Sequence, residues 1–222
     1  MRYICLDTET TGLRHEEGHR VIELGCVEII GFSKTGKTLH HLINPERNID
    51  AGSFAIHGIS NQAVVGKPKF AEITKEFLDF IQDATLVIHN AAFDMGFLNK
   101  ELSLAGLKPL ENQVIDTLRL AKAKFPGSPA SLDALCKRFK IDLSDRTKHG
   151  ALIDSLLLAD VFLELIGGNQ DSFFTGSKSS NQVGENENTT LHSRKAMGYN
   201  SLVKIIKPSD VEEALHLQKM PH

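Results

Sequence analysis

The sequence is short of cysteine, has no marked excess of either charge and contains no long unbroken apolar run. Each shortage removes a class of protein. Cys5, Cys26 and Cys136 are the only cysteines. They are too few and too scattered for a disulfide scaffold, and the absence of any Cys-x-x-Cys pair counts against a structural zinc site. A reducing, cytoplasmic compartment is the expectation. With 25 basic against 28 acidic side chains the formal charge is −3, so bulk positive charge alone would not hold a nucleic acid. The most apolar stretch, Ala151 to Ile166, is interrupted by Asp154, Asp160 and Glu164, which excludes it as a membrane span. Met1 to Asp7 turns acidic too soon for a signal peptide. What remains, at 41% hydrophobic and 24% charged over 222 residues, is an ordinary globular composition. It has room for one domain with an extension, or for two small domains.

Residues 1–168 alternate apolar runs with helical patterns. Strands are expected over Tyr3 to Leu6, Val21 to Ile30, Thr38 to Ile43, Thr85 to Ile88 and Val114-Ile115. Helices are expected over Phe70 to Ile81, Ala92 to Ala105, Thr117 to Lys124, Leu132 to Phe139 and Gly150 to Ile166. Gly106, Pro126-Gly127 and Gly167-Gly168 supply stops. Strands first, then strands mixed with helices, argue for an α/β layered fold. Residues 175–190 hold one aliphatic side chain, Val183, and read as a flexible linker that cannot offset its ordering entropy by burial. Beyond it, Leu202, Val203, Ile205 and Ile206 form a strand-like cluster. Ser209 and Glu212 make a capping-box pattern ahead of a short helix, Val211 to Leu217. About thirty residues cannot build much core alone, so this segment is expected to dock on something.

The chemistry lies in the acids. Asp7 and Glu9 follow an apolar strand, and residues two apart on a strand share a face. They repel each other unless a cation lies between them, although a lone Asp-x-Glu is usually a solvated turn. Asp154 carries Leu158, Val161 and Leu165 on its own helical stripe, so it points where a core side chain points. A carboxylate there must be paired or bind a metal, and no Arg or Lys stands within one helical turn. Asp94 repeats the pattern beside Phe93, with complementing a helix dipole as the plainer alternative. His149 is offset from Asp154 by five residues, about 140° around a helix. It fits better in the loop just ahead, where a wet imidazole can accept a proton at neutral pH. Oxygen ligands suit Mg²⁺ or Mn²⁺. Two such ions roughly 3.5–4 Å apart stabilise both the attacking and the leaving oxygen of a phosphoryl displacement.

Three segments carry a resemblance. Asp7-Thr8-Glu9-Thr10-Thr11-Gly12, His89-Asn90-Ala91-Ala92-Phe93-Asp94 and His149-Gly150-Ala151-Leu152-Ile153-Asp154 resemble, in order and spacing, the three motifs of the DEDD exonuclease superfamily in its histidine branch, DEDDh. Ile56-His57-Gly58-Ile59 and Ser131 to Arg138 are similar to the epsilon family of proofreading subunits of bacterial DNA polymerase III. The resemblance covers residues 1–170 closely. It implies a ribonuclease H-like fold, with a mixed five-stranded sheet flanked by helices, and 3′→5′ removal of nucleotides from a DNA 3′ end. It implies that Asp7, Glu9, Asp94 and Asp154 hold two divalent ions, Mg²⁺ or Mn²⁺, with His149 as general base. Asp7, Thr8, Glu9, Thr11, Gly12, Leu13, His57, Asn90, Phe93 and Asp154 would meet the terminal nucleotide, Leu13 as an apolar wedge. One position departs. Many relatives carry an acid five residues before the histidine of His-Gly-Ile, where this chain has Gly52, which puts a contact to the terminal sugar in question.

The tail extends the resemblance. Gln170-Asp171-Ser172-Phe173-Phe174 resembles the short peptide by which replication proteins bind the sliding clamp, with Gln170, Phe173 and Phe174 as anchors; packing of a helix end is the alternative. The implied layout is an exonuclease domain over 1–169, a clamp peptide over 170–174, a linker over 175–193 and a segment over 194–222 that binds the polymerase catalytic (alpha) subunit. A small theta-type accessory subunit is a further implied partner. An exoribonuclease of the same superfamily and a non-catalytic assembly subunit are the competing readings.

Overall fold

The computed structural model describes residues 1–144, 146 and 148–167. The expected clamp peptide, linker and segment 194–222 lie outside the described residues. A five-stranded sheet forms the centre, in the order β3-β2-β1-β4-β5. Its strands are β1 (Arg2–Thr10), β2 (Val21–Ile30), β3 (Ser33–Leu42), β4 (Thr85–Ile88) and β5 (Val114–Asp116). β1, β2 and β3 form an antiparallel meander, while β1–β4 and β4–β5 pair parallel. The helices are α1 (Ala51–His57), α2 (Asn61–Val64), α3 (Phe70–Ile81), α4 (Ala91–Leu104), α5 (Thr117–Lys124), α6 (Leu132–Phe139) and α7 (Ala151–Gly167).

Period-two alternation in β1 feeds two cores. Ile4 and Leu6 face Phe70 and Phe77 of α3 and Phe97 and Leu98 of α4. Cys5 faces the other way, with Val87, toward Leu135 of α6 and Leu158, Val161 and Phe162 of α7. Both faces of the sheet are therefore covered, which is why the middle of β1 and most of β4 are apolar on both faces. Tyr3, Cys5, Asp7 and Glu9 share the α7 face by the same alternation, so the strand that builds the core also delivers the two acids.

Three helices begin and end where their end chemistry dictates. The Ser131 hydroxyl accepts from the Ala134 N–H at the start of α6. The Asp116 carboxylate accepts from the Leu118 and Arg119 N–H groups at the start of α5. Gly58, with φ +72°, takes the left-handed position that ends α1. Four elements go beyond the sequence expectations. β1 and β3 are longer than the apolar runs that mark them, because their flanks pair through backbone alone. The stretch between β3 and α3 contains α1 and α2, of 7 and 4 residues, too short to show a helical period.

α7 is the element that sets the site. Gly25 of β2 faces its first turn, and a Cβ at that glycine would stand 2.3 Å from the Ala151 carbonyl carbon. Only glycine admits so close an approach. The Ser155 hydroxyl donates to the Gly25 carbonyl at 2.9 Å, and the Ala151 N–H donates to Glu23 Oε2 at 3.0 Å. Asp7 pairs with Gly25 and Glu9 with Glu23 across β1–β2, so this docking brings Asp154 against the two strand acids.

Candidate active site

At the C-terminal end of β1 the predicted carboxylates converge. Asp94 is 3% exposed, Asp154 3% and Glu9 9%, and Asp7 is half-buried. Glu9, Asp154 and His149 each offer a ligand atom, all within 4.8 Å of one another. Asp94 arrives from the first turn of α4, where the Thr8 N–H and hydroxyl both donate to its Oδ1, at 3.0 and 2.7 Å. Thr8, which lies between the two strand acids, thus grips the helix acid. Asn90, in the left-handed conformation with φ +67°, starts α4. It is held by a bond from its N–H to Asp116. Phe93, half-buried beside Asp94, stacks against Phe97 at 4.9 Å.

The electrostatics show how strained the cluster is. Burial, then Asp94, Glu9 and Asp154, push the Asp7 carboxyl well above its usual range. Burial first, then Asp154, Glu23 and Asp94, lift Glu9 to about 8. Burial lifts Asp94 to about 7 against the hydrogen bonds from Thr8. Among the described residues no basic side chain forms an ion pair with Asp7, Glu9 or Asp94. Carboxylates that share a buried site without a counter-ion provide the all-oxygen donor set that hard divalent cations take. The donor set therefore fits divalent cations of this kind, with no preference between Mg²⁺ and Mn²⁺ expressed.

Asp154 is paired, by a residue beyond one helical turn. Arg146 donates through Nε and Nη2 to Oδ1 and Oδ2, at 2.5 and 2.7 Å, and pairs with Asp133 as well. The partner comes from the loop before α7, folded back over the helix, so a search within one helical turn does not reach it. Arg146 also lowers the pKa of Asp7 and Glu9 against the dominant upward push. His149 stands in that loop as expected, its side chain 48% exposed and its Nδ1 3.1 Å from Asp154 Oδ2.

The residues expected to meet a nucleotide border this cluster. Leu13 is 73% exposed, at the tip of the turn that leaves β1, while Thr11 and Gly12 beside it are buried. His57, at the end of α1, is 5% exposed. Its Nδ1 accepts from the Ile59 N–H at 2.9 Å, and its Nε2 has no aligned partner. Burial lowers its pKa, against the opposing pull of the Thr10 backbone and the Glu23 charge. An unpartnered buried N–H beside the cluster is the kind of group a ligand satisfies. At Gly52 a Cβ would meet open space, so packing does not require glycine there. Gln170, Phe173 and Phe174 lie outside the described residues.

Sequence reading missed Glu23, Gly25 and Arg146. Gly25 had a signal, since a glycine inside the apolar strand VIELGCVEII marks a close backbone approach. Glu23 and Arg146 had none, because their partners are set by tertiary folding.

Comparison with known proteins agrees with this geometry. The sequence matches the family described as Exonuclease over residues 4–162. It is 42% identical to DNA polymerase III subunit epsilon of Escherichia coli strain K12, over 97% of this chain and 90% of that protein. It is 49% identical to the protein of the same name from Rickettsia conorii, over 86% of this chain and 88% of the relative. Among solved structures, exonuclease X in complex with 5′ overhanging duplex DNA aligns with a TM-score of 0.61 at 26% identity, covering 76% of this chain and 92% of that one. The nuclease domain of 3′hExo, a DEDDh family member, shares the fold at 19% identity and a TM-score of 0.65, covering 75% and 92%. The chain has the ribonuclease H-like fold and belongs to the exonuclease family, alongside the DNA polymerase III epsilon subunits.

Proposed function

We propose that this chain is the 3′→5′ proofreading exonuclease subunit of a bacterial replicative DNA polymerase, acting in the cytoplasm and hydrolysing the terminal phosphodiester of a frayed DNA 3′ end. The observation that carries the reading is the clustering of Asp7, Glu9, Asp94 and Asp154, three of them without a basic partner among the described residues, with the exposed His149 in reach of Glu9 and Asp154. Identity of 42% to an epsilon subunit over nearly the whole chain supports the biological assignment.

Asp7, Glu9, Asp94 and Asp154 would hold two divalent ions. When bound, these would supply the positive charge that offsets the reacting phosphate and lets a net-acidic protein accept a polyanion. His149 takes the proton of the attacking water. Its exposure keeps the ring wet and free to pass that proton on, and Asp154 beside Nδ1 steadies the imidazolium that forms. Thr8 spends both of its donors on Asp94 and so keeps the acid cluster in register. Leu13 wedges against the terminal base. Thr11, Gly12, Asn90 and Phe93 shape the pocket, and the free Nε2–H of His57 meets the nucleotide. Selectivity for a mispaired end then follows from the lower cost of unpairing it, not from reading the base. The segments 170–174 and 194–222 would bind the sliding clamp and the polymerase catalytic subunit. Tethering by 175–193 would raise the local concentration of the nuclease at the primer end. A theta-type subunit would complete the assembly.

The test is Mg²⁺-dependent degradation of single-stranded DNA and RNA oligomers by the full chain and by Asp7→Ala. The expected result is a preference for DNA, with a loss of at least about 10³-fold in the variant. Undiminished activity in pure, folded Asp7→Ala would refute the site, and a preference for RNA would refute the proofreading role.

A further inference from the structure

The turn leaving β1 is held by a side-chain bridge that the catalytic reading does not use. Past Thr10 the chain runs through Thr11, Gly12 and Leu13, makes a short 3₁₀ turn at His15–Glu17, and re-enters the sheet at Val21. On the way back it places His19, 7% exposed, beneath the turn. The ring lies directly on Gly12, where a Cβ would come within 2.1 Å of His19 Cε1. Position 12 can therefore carry no side chain while His19 is in place.

The hydrogen bonds assign the ring's roles. The Arg20 N–H donates to Thr11 Oγ1 at 3.0 Å. The Thr11 hydroxyl proton is then directed at His19 Nδ1, also 3.0 Å away. Nδ1 as acceptor leaves the proton on Nε2, which stands 3.5 Å from Asp50 Oδ2. Asp50 immediately precedes α1, the helix that ends at His57, and its N–H donates to the Thr11 carbonyl at 2.9 Å. Its own carboxylate does not cap that helix.

We propose that His19 is a positioning residue for the exonuclease reaction, fastening the Thr11–Leu13 turn to Asp50 and so fixing the distance between the two segments that grip the terminal nucleotide, the turn and the His57 end of α1. This rests on the nucleotide-site reading above. Leu13 is largely exposed and has little packing of its own to set its position. The backbone bonds of Thr11 to Arg20 and Asp50 survive loss of the imidazole. The strand end therefore stays in place, while the side-chain link between the two gripping segments is lost. A loosened binding element costs affinity before it costs chemistry.

Steady-state kinetics on a single-stranded DNA oligomer, with the full chain, separate the possibilities. His19→Ala should raise KM about tenfold with kcat within about twofold of the parent. Asp50→Ala, at an exposed side chain away from the core, should raise KM about threefold, and the double variant should be no worse than His19→Ala alone. Leu13→Ala is the control for the underlying reading and should itself raise KM. An unchanged KM in Leu13→Ala removes the nucleotide site and with it anything for His19 to position. A raised KM in Leu13→Ala beside an unchanged KM in both His19→Ala and Asp50→Ala overturns the positioning role alone. So does a fall in kcat at constant KM, or full multiplication of the two effects in the double variant. If His19→Ala does not fold, Asp50→Ala decides by the same criterion.

Discussion

Two sets of largely buried acids lie in this molecule, opposite in kind. Glu28 and Glu101 are each 2% exposed, as deeply buried as Asp94 and Asp154. Glu101 receives both arms of the Arg20 guanidinium at 2.7 Å and the Val21 N–H at 3.1 Å. Glu28 receives Arg2 at 2.7 Å and the Thr35 hydroxyl at 2.8 Å, and the Arg2 bond holds its carboxyl below the usual range. Asp7, Glu9 and Asp94 instead face one another, and their pKa values rise. Burial alone does not separate a structural acid from a working one. The presence or absence of a counter-charge supplied by the fold does. Glu101 ties α4 to the start of β2, and Glu28 ties β2 to β1 through Arg2 and to β3 through Thr35. The unpaired ones bring no comparable stability and hold the capacity to bind cations.

The sharpest way to break that contrast is to neutralise one member of each set. Asp94→Asn keeps an oxygen for the two Thr8 donors and removes a charge that burial disfavours. The melting temperature should hold or rise, while nuclease activity falls at least about 10³-fold. Glu101→Gln leaves the Arg20 guanidinium without its charge partner. That variant should lose about 3 kcal/mol of stability yet keep activity per folded molecule within about threefold. Calorimetry beside a single-stranded DNA assay reads both. Early melting of Asp94→Asn, or a folded but inactive Glu101→Gln, would erase the distinction.

A second test uses protons. Glu9 at about 8 and Asp94 at about 7 lie above their ordinary values of 4.5 and 3.8. The folded chain therefore binds more protons than the unfolded chain between those limits. Stability from these groups is complete below about pH 4 and declines as pH climbs toward 8. With a chelator present, Glu9→Gln should melt several degrees above the parent at pH 8, at about 2–4 °C per kcal/mol for a chain of this size. The gap should close near pH 4. Mg²⁺ added to the parent should recover the same difference at pH 8. A parent-to-variant gap that ignores pH would show that Glu9 is not held uncomfortably at all.

The contrast was half legible in the sequence. The four acids announce themselves through local geometry, two residues apart on a strand or on an apolar helical stripe, and the long helices and apolar strands follow from the same periods. The partners do not. Glu23 reaches the Ala151 N–H across 128 residues, and Ser155 reaches the Gly25 carbonyl across 130. Arg20 meets Glu101 across 81. No periodicity encodes such encounters, so the sequence marks the four clustered acids but neither the burial of Glu28 and Glu101 nor which acids are answered by an arginine. α1 and α2 escaped for a different reason, since helices of 7 and 4 residues complete too few turns to show a pattern.

Asp154 stands between the two sets and offers the finest test. Arg146 answers it as an arginine answers a structural acid, yet the carboxylate belongs to the working cluster. Arg146 Nη2 also lies 2.9 Å from His149 Nδ1. Nδ1 cannot accept that proton and donate one to Asp154 at the same time, so the guanidinium competes with the histidine for the carboxylate. It competes equally with any cation that would use the same oxygens. Arg146→Gln keeps a shorter hydrogen-bond donor and removes the charge. Mn²⁺ binding measured by calorimetry should tighten about three- to tenfold in that variant, a coupling of about 1 kcal/mol. Weaker Mn²⁺ binding would mean that Arg146 builds the site by ordering the His149 loop, and Asp154 would then join the structural acids in needing its arginine.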